Sequence, residues 1–364
     1  MINLSRETEN GRLDFIDSMR GIAALTIVFY HLSFLRLPLL LEEHILLARS
    51  SLILFFIISS FTLYFSLDNK RYEEKRFQKF YLRRLFRIAP LFYIMIVIYL
   101  IKDILILKNV PSLAEIAANF AFIFNLYPPY FESIVTTGWT IGVEMLFYLI
   151  LPLIYSGFNT ITRSLIFLAC TVAFADIIHS LLSQFPPFSQ EIMQGYMSVA
   201  SFLPVFSTGI ICYLIYKNYI HKLSNEYRKK ISLLLFIITL FILFIVIFNP
   251  AFYFIPLSER YWQAIAFSTL FLSLSLYPIK LLVNEITTFY GKISYSVYLL
   301  HPLLIYFLKP TYGYIYAHMA ISAGLSFLSC LLLTLLILTP ISWLTYNTIE
   351  KKGIRYGKKL IASL

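Results

Sequence analysis

The chain has 364 residues, of which 59% are hydrophobic and only 13% charged, and its mean hydropathy is +0.76. A soluble domain carries nearer a quarter of its residues charged, so this composition excludes one and describes an integral membrane protein. The net charge of +11 then reads as loops held on the cytoplasmic side of a bilayer, not as nucleic-acid binding. Three isolated cysteines, Cys170, Cys212 and Cys330, exclude a disulfide framework and a cysteine metal site. The stretch "MINLSRETENGRLDF" has no cleavable signal pattern, so the first apolar run is expected to be retained.

Long apolar runs predict an all-α, polytopic membrane protein of about ten transmembrane helices, near 14–34, 50–67, 88–107, 138–157, 163–182, 197–216, 231–249, 260–279, 290–308 and 319–345. The first contains "MRGIAALTIVFYHL", with Arg20 and His31 eleven residues apart. At ~100° per residue this is three turns plus ~20°, so both lie on one helical stripe, through Ala24 and Ile27, roughly 16 Å apart. Ionisable groups inside a membrane point to function by default. Two readings stand. One is a snorkelling arginine and a hydrogen-bonded core histidine. The other is a pair facing one cavity, with His31 suited to general-base work on a hydroxyl.

The second run leads into "DNKRYEEKRFQKFYLRRLFR" (68–87), with eight basic residues; the loop 217–230 and the tail "KKGIRYGKK" have five each. The positive-inside rule places all three in the cytoplasm, together with both termini. If "SLAEIAANFAFIFNLY" (112–127) crossed, the first two basic loops would fall on opposite sides, so a non-crossing or re-entrant helix on the outer side is expected there. Where the first basic loop enters its span, "YLRRLFRIAPLFY" carries Arg83, Arg84 and Arg87. Arg84 and Arg87 share a helix face at i, i+3. They are either topogenic charge or an anion site, because guanidinium forks match phosphate oxygens bidentately. A nucleotide-bearing donor such as a coenzyme A thioester needs such a site.

In "GWTIGVEMLFYLILPLIY" (138–155) Glu144 is the sole acid, set about a third of the way in from the outer side by the ~20-residue length of a span. It must pair or face water. It orients a histidine, binds a sugar hydroxyl or is a structural partner. In "KISYSVYLLHPLLIYF" (292–307) Ser294, Tyr298 and His301 fall at i, i+4 and i+7, one face of a helix. That face is a polar seam between helices, or it supplies acceptor contacts or a proton path. His44, His179, His221 and His318 lie at loops or near the ends of runs and say less. The chain reads as a single membrane domain, 1–364, with no appended soluble domain. Sparse intramembrane His, Glu and Arg also suit a proton-coupled transporter of a small anion or glycan precursor, although the lack of internal repeats weakens that alternative.

These motifs, in this order, resemble the membrane acyltransferase-3 family, bacterial O-acyltransferases of surface polysaccharides and related acceptors. The resemblance runs through "LDFIDSMRGIAALTIVFYHL" (the family's Arg-x10-His), "LILFFIISSF", "RRLFRIAP", "GWTIGVEMLFYLILP", "ISYSVYLLHPLL" and "YNTIEKKGIRYGKK". It implies transfer of an acyl group, first of all acetyl, from cytoplasmic acyl-CoA to a hydroxyl of a surface glycan or lipid-linked saccharide, in the bacterial inner membrane. Arg20, His31 and Glu144 would be catalytic; Arg83, Arg84 and Arg87 would bind the donor; Tyr298, His301, Trp139 and Thr140 would come second, toward the acceptor. No metal and no permanently bound cofactor are expected; acetyl-CoA is a substrate. Ser59-Ser60 stands where the family usually has Ser-Gly, so less close helix packing is expected there. Thr140-Ile141 replaces the usual Ser-Leu ahead of Glu144 and keeps a hydroxyl. Some relatives carry an extracytoplasmic esterase-like domain after the last span; this chain ends 14 residues past Glu350, so transfer is completed by the membrane domain or by a separate partner protein.

Overall fold

The computed structural model describes residues 13–34, 50–183, 198–248, 259–318 and 322–364; His44, the N-terminal stretch 1–12 and the start of the expected 319–345 run lie outside them. In chain order the helices are α1 (Asp14–Ser33), α2 (Ser51–Asn69), α3 (Arg76–Lys102), α4 (Leu113–Phe120), α5 (Trp139–Gly157), α6 (Ile161–Ser183), α7 (Val199–Tyr219), α8 (Asn225–Phe248), α9 (Glu259–Leu276), α10 (Glu285–Lys292), α11 (Ser294–His318), α12 (Ala323–Thr345) and α13 (Lys351–Ala362). The fold is all-α. Among the described residues eight helices are long and apolar enough to cross a membrane: α1, α2, α3, α5, α6, α7, α8 and the continuous run Ala323–Ala362. The two other expected spans correspond to α9 and α11, more polar helices of 18 and 25 residues. The run expected at 290–308 is interrupted, since α10 ends at Lys292 and α11 begins at Ser294.

Lipid explains the outer surface. On α8, Leu233, Ile237, Leu240, Phe241, Phe244 and Phe248 form an exposed apolar stripe. In water such a stripe would be an aggregation surface; in hydrocarbon it costs nothing, and the helix satisfies its own backbone.

The chain divides into two compact units, 1–62 with 208–342, and 63–207 with 343–364. In the first, small residues let helices approach closely. A Cβ on Gly21 of α1 would meet the Thr287 carbonyl and the Gly291 amide of α10, and one on Gly291 would meet the Asp17 backbone. Helix α10 is itself fixed by a capping box between Asn284 and Thr287. The expected loosening at Ser59-Ser60 does not occur. The glycine sits on the partner helix instead: a Cβ on Gly209 of α7 would strike Ser60 and the Ile57 carbonyl, while Ser60 Oγ donates back to the Phe56 and Ile57 carbonyls, each at 3.1 Å. Helices α8 and α9 are joined by hydroxyl pairs, Ser232–Ser273 at 3.2 Å and Thr239–Thr269 at 2.8 Å.

In the second unit the 112–127 run forms α4, a helix of eight residues, followed by single 3₁₀ turns. Eight residues rise ~12 Å, far short of a ~30 Å hydrocarbon core. The segment then packs against the middle of α3: Tyr93 Oη donates to the Phe120 carbonyl at 2.9 Å, and Phe92 stacks on Phe122 at 5.0 Å. Irregular backbone at that depth must be satisfied by protein. Asn119, fully buried, does this: its Oδ1 accepts from Ser133 Oγ at 2.6 Å and from the Ile134 amide at 3.1 Å.

Candidate active site

The α1 stripe faces the interior of the first unit. Ala24 and Ile27 are 0% and 1% exposed, and Arg20 and His31, one at each end, are half-buried. The Gly21–Gly291 crossing fixes the turn that carries Arg20. Its Nη2 donates to Thr62 Oγ1 at 3.4 Å, and its Nη1 lies 3.9 Å from Asp17 Oδ1. At the other end the His31 ring lies 5.0 Å from the ring of His301, between centroids. His301 is 0% exposed. Its Nδ1 is 3.1 Å from the Val297 carbonyl one turn back on α11, and its Nε2 is buried with no hydrogen-bond partner. Tyr298, also buried, lies 5.8 Å from His301 and 6.0 Å from Phe55. Ser294 is buried on the same helix. Two constellations that are far apart in sequence, Arg20/His31 and Tyr298/His301, therefore meet in space at the two histidines.

The arginine motif belongs to the second unit. Arg83 forms a bidentate pair with Glu73, Nη1 to Oε1 at 3.0 Å and Nη2 to Oε2 at 2.7 Å. These bonds hold the Glu73 carboxyl below the usual carboxylate range. Arg84 sets its guanidinium over Phe80 at 5.8 Å, keeps a buried Nε without a hydrogen bond, and has Tyr148, Arg87 and Glu144 within electrostatic range. Glu144 accepts the Tyr148 hydroxyl proton in a hydrogen bond. Arg84 and Tyr148 line a cavity of about 250 Å³ with Phe122 of the segment after α4 and Met145 and Leu149 of α5. Thr140 Oγ1 donates to the Thr137 carbonyl at 3.1 Å, and Trp139 packs on Phe202 at 5.6 Å.

Two cations beside this motif were not legible as site residues. Lys70, just after α2, lies near Arg83, Arg84 and Lys358; burial, then these like charges, push its ammonium pKa down, against the pull of Glu73. Lys358 arrives on α13, which seats Gly353 and Gly357 against Phe86 and Pro90 of α3. In the sequence both lysines read only as topogenic charge. Tyr148 also escaped notice, although its i, i+4 spacing from Glu144 was available.

What fold and geometry define is a multi-pass membrane protein with ionisable groups gathered on buried faces: a histidine pair in one unit, a cation cluster in the other. A family model described as "Acyltransferase domain", of the acyltransferase-3 type, matches residues 13–346, and the chain belongs to that family. It is also similar to a protein of Acidianus two-tailed virus named "Putative acetyltransferase ORF330", with 26% identity over 290 residues, 79% of this chain and 82% of that protein. No solved structure matches the chain.

Proposed function

We propose that the protein transfers an acyl group, acetyl first, from acyl-CoA to a hydroxyl of a surface glycan or lipid-linked saccharide. The observation that carries this reading is the buried stripe of α1, which ends at His31 beside a second histidine, in a chain of an acyltransferase family. His31 takes the proton of the acceptor hydroxyl as its oxygen attacks the thioester carbonyl. The C–S bond breaks, and His31 returns the proton to the leaving thiolate. Arg20 holds the pantetheine end or a phosphate of the donor. Tyr298 and His301 line the acceptor side.

Donor phosphates are held by Arg84 and Arg87, with Lys70 and Lys358 beside them. Arg83 is already engaged by Glu73, and its part is to order that cluster. Glu144 and Tyr148 orient Arg84. Trp139 and Thr140 shape the start of α5 toward the acceptor. We read the topology as ten spans, α9 and α11 included, with both termini cytoplasmic, in a bacterial inner membrane. The acceptor and any separate partner protein lie on the far side.

The test is transfer of label from radiolabelled acetyl-CoA into a cell-envelope extract by membranes containing the protein. We expect His31→Ala to lose at least about 10²-fold in rate. Arg84→Ala/Arg87→Ala should lose activity that high acetyl-CoA restores. Transfer by His31→Ala equal to wild type would sink the mechanism. Proton-coupled movement of a small anion into proteoliposomes, without acyl transfer, would favour a transporter instead.

A further inference from the structure

His301 Nδ1 stands 3.1 Å from the Val297 carbonyl. A carbonyl oxygen only accepts, so Nδ1 carries the proton, and in the neutral ring Nε2 is a bare acceptor. That acceptor is on a side chain 0% exposed and has no hydrogen-bond partner. A buried acceptor without a donor costs free energy, and native structures keep few of them without a use. Beside the His301 ring, from another helix, stands the ring of His31, at 5.0 Å between centroids and an interplanar angle of 49°. At such a separation, two imidazoles turned nitrogen to nitrogen reach a hydrogen-bond distance of about 2.7–3.2 Å. His31 is half-buried.

We propose that His301 is a positioning residue for His31: its Nε2 accepts the His31 N–H and so fixes the tautomer in which the other His31 nitrogen is bare toward the acceptor hydroxyl. The inference rests on His31 being the base. It assigns the chain Val297 carbonyl, His301, His31, hydroxyl, in which each histidine is oriented by the group behind it. No proton passes to His301. When His31 takes the hydroxyl proton and becomes an imidazolium, the bond to Nε2 becomes charge-assisted and stronger, which favours the charged intermediate. Return of the proton to the thiolate restores both rings.

The experiment compares wild type, His31→Ala, His301→Phe and His301→Gln in the acetyl-CoA assay, with kcat and donor KM measured separately and folding checked by thermal unfolding in detergent. His301→Phe keeps a ring and removes the acceptor; we expect kcat to fall about 10²-fold with donor KM unchanged within about twofold. His301→Gln supplies a carbonyl oxygen near the Nε2 position and should recover to within about tenfold of wild type. A folded His301→Phe enzyme with wild-type kcat would overturn the proposal while leaving the acyltransferase reading intact. An active His31→Ala enzyme would instead remove His31 as the base, the reading on which the proposal rests. Nitrogen-15 NMR of the histidine-labelled wild type reads the tautomer directly, whatever the variants do. Assigned by its loss in His301→Gln, a protonated Nε2 overturns the proposal; a bare Nε2 with protonated Nδ1 supports it.

Discussion

At the residue scale, the structure pairs Arg83, one of the three arginines of the motif, with Glu73. A guanidinium with both Nη groups on one carboxylate has its charge paired and two of its five N–H donors engaged, and its Nε is itself buried. The pair also carries a pH signature. Its hydrogen bonds lower the Glu73 pKa in the folded state, so its contribution to stability is complete above the ordinary glutamate range, near 4.3. It is lost as pH falls through the folded value. We expect the thermal stability of wild type to exceed that of Glu73→Gln by a constant margin from about pH 5 to 8, and the margin to close below about pH 4. A margin unchanged at pH 3.5 would show that the carboxylate charge contributes nothing.

At the scale of elements, glycine placement decides which helices touch. Gly21 and Gly291 let α1 and α10 meet backbone to backbone, and the obstacle to a Cβ there is a carbonyl and an amide, which no side-chain rotation removes. Gly313 on α11 has open space around it. Gly21→Ala is therefore expected to destabilise by about 1–3 kcal/mol, the usual cost of overpacking. Gly313→Ala should be neutral or stabilising by up to about 1 kcal/mol, from helix propensity alone. Thermal unfolding in detergent measures both; equal effects would mean that the α1–α10 crossing is not close in solution. The same argument explains why the double serine at 59–60 did not loosen α2. Close approach needs a small residue on one side only, and Gly209 of α7 provides it.

For the whole molecule, the proposed orientation rests on charge. In the ten-span topology proposed above, the positive-inside rule expects the basic stretches 68–87, 217–230 and 351–359 on one side. A fluorescent protein fused after Leu364 should be bright, and a periplasm-dependent phosphatase fused there should be inactive; the reverse pattern would overturn the ten-span topology. Amino-acid order alone determined the all-α membrane class, because lipid demands long apolar helices and little else satisfies their backbones. It also placed Arg20 and His31 on one interior stripe, because helical periodicity is local. It determined the short, non-spanning α4 through charge balance between distant loops. What only the tertiary structure decided is which polar groups meet. His301 comes beside His31 from a helix some 270 residues later, Lys358 reaches the arginine motif on the last helix, and Glu73 occupies Arg83. Such meetings depend on helix packing, which small residues and shape select among many crossings that hydropathy leaves equal, because the surrounding lipid is as apolar as the helices themselves.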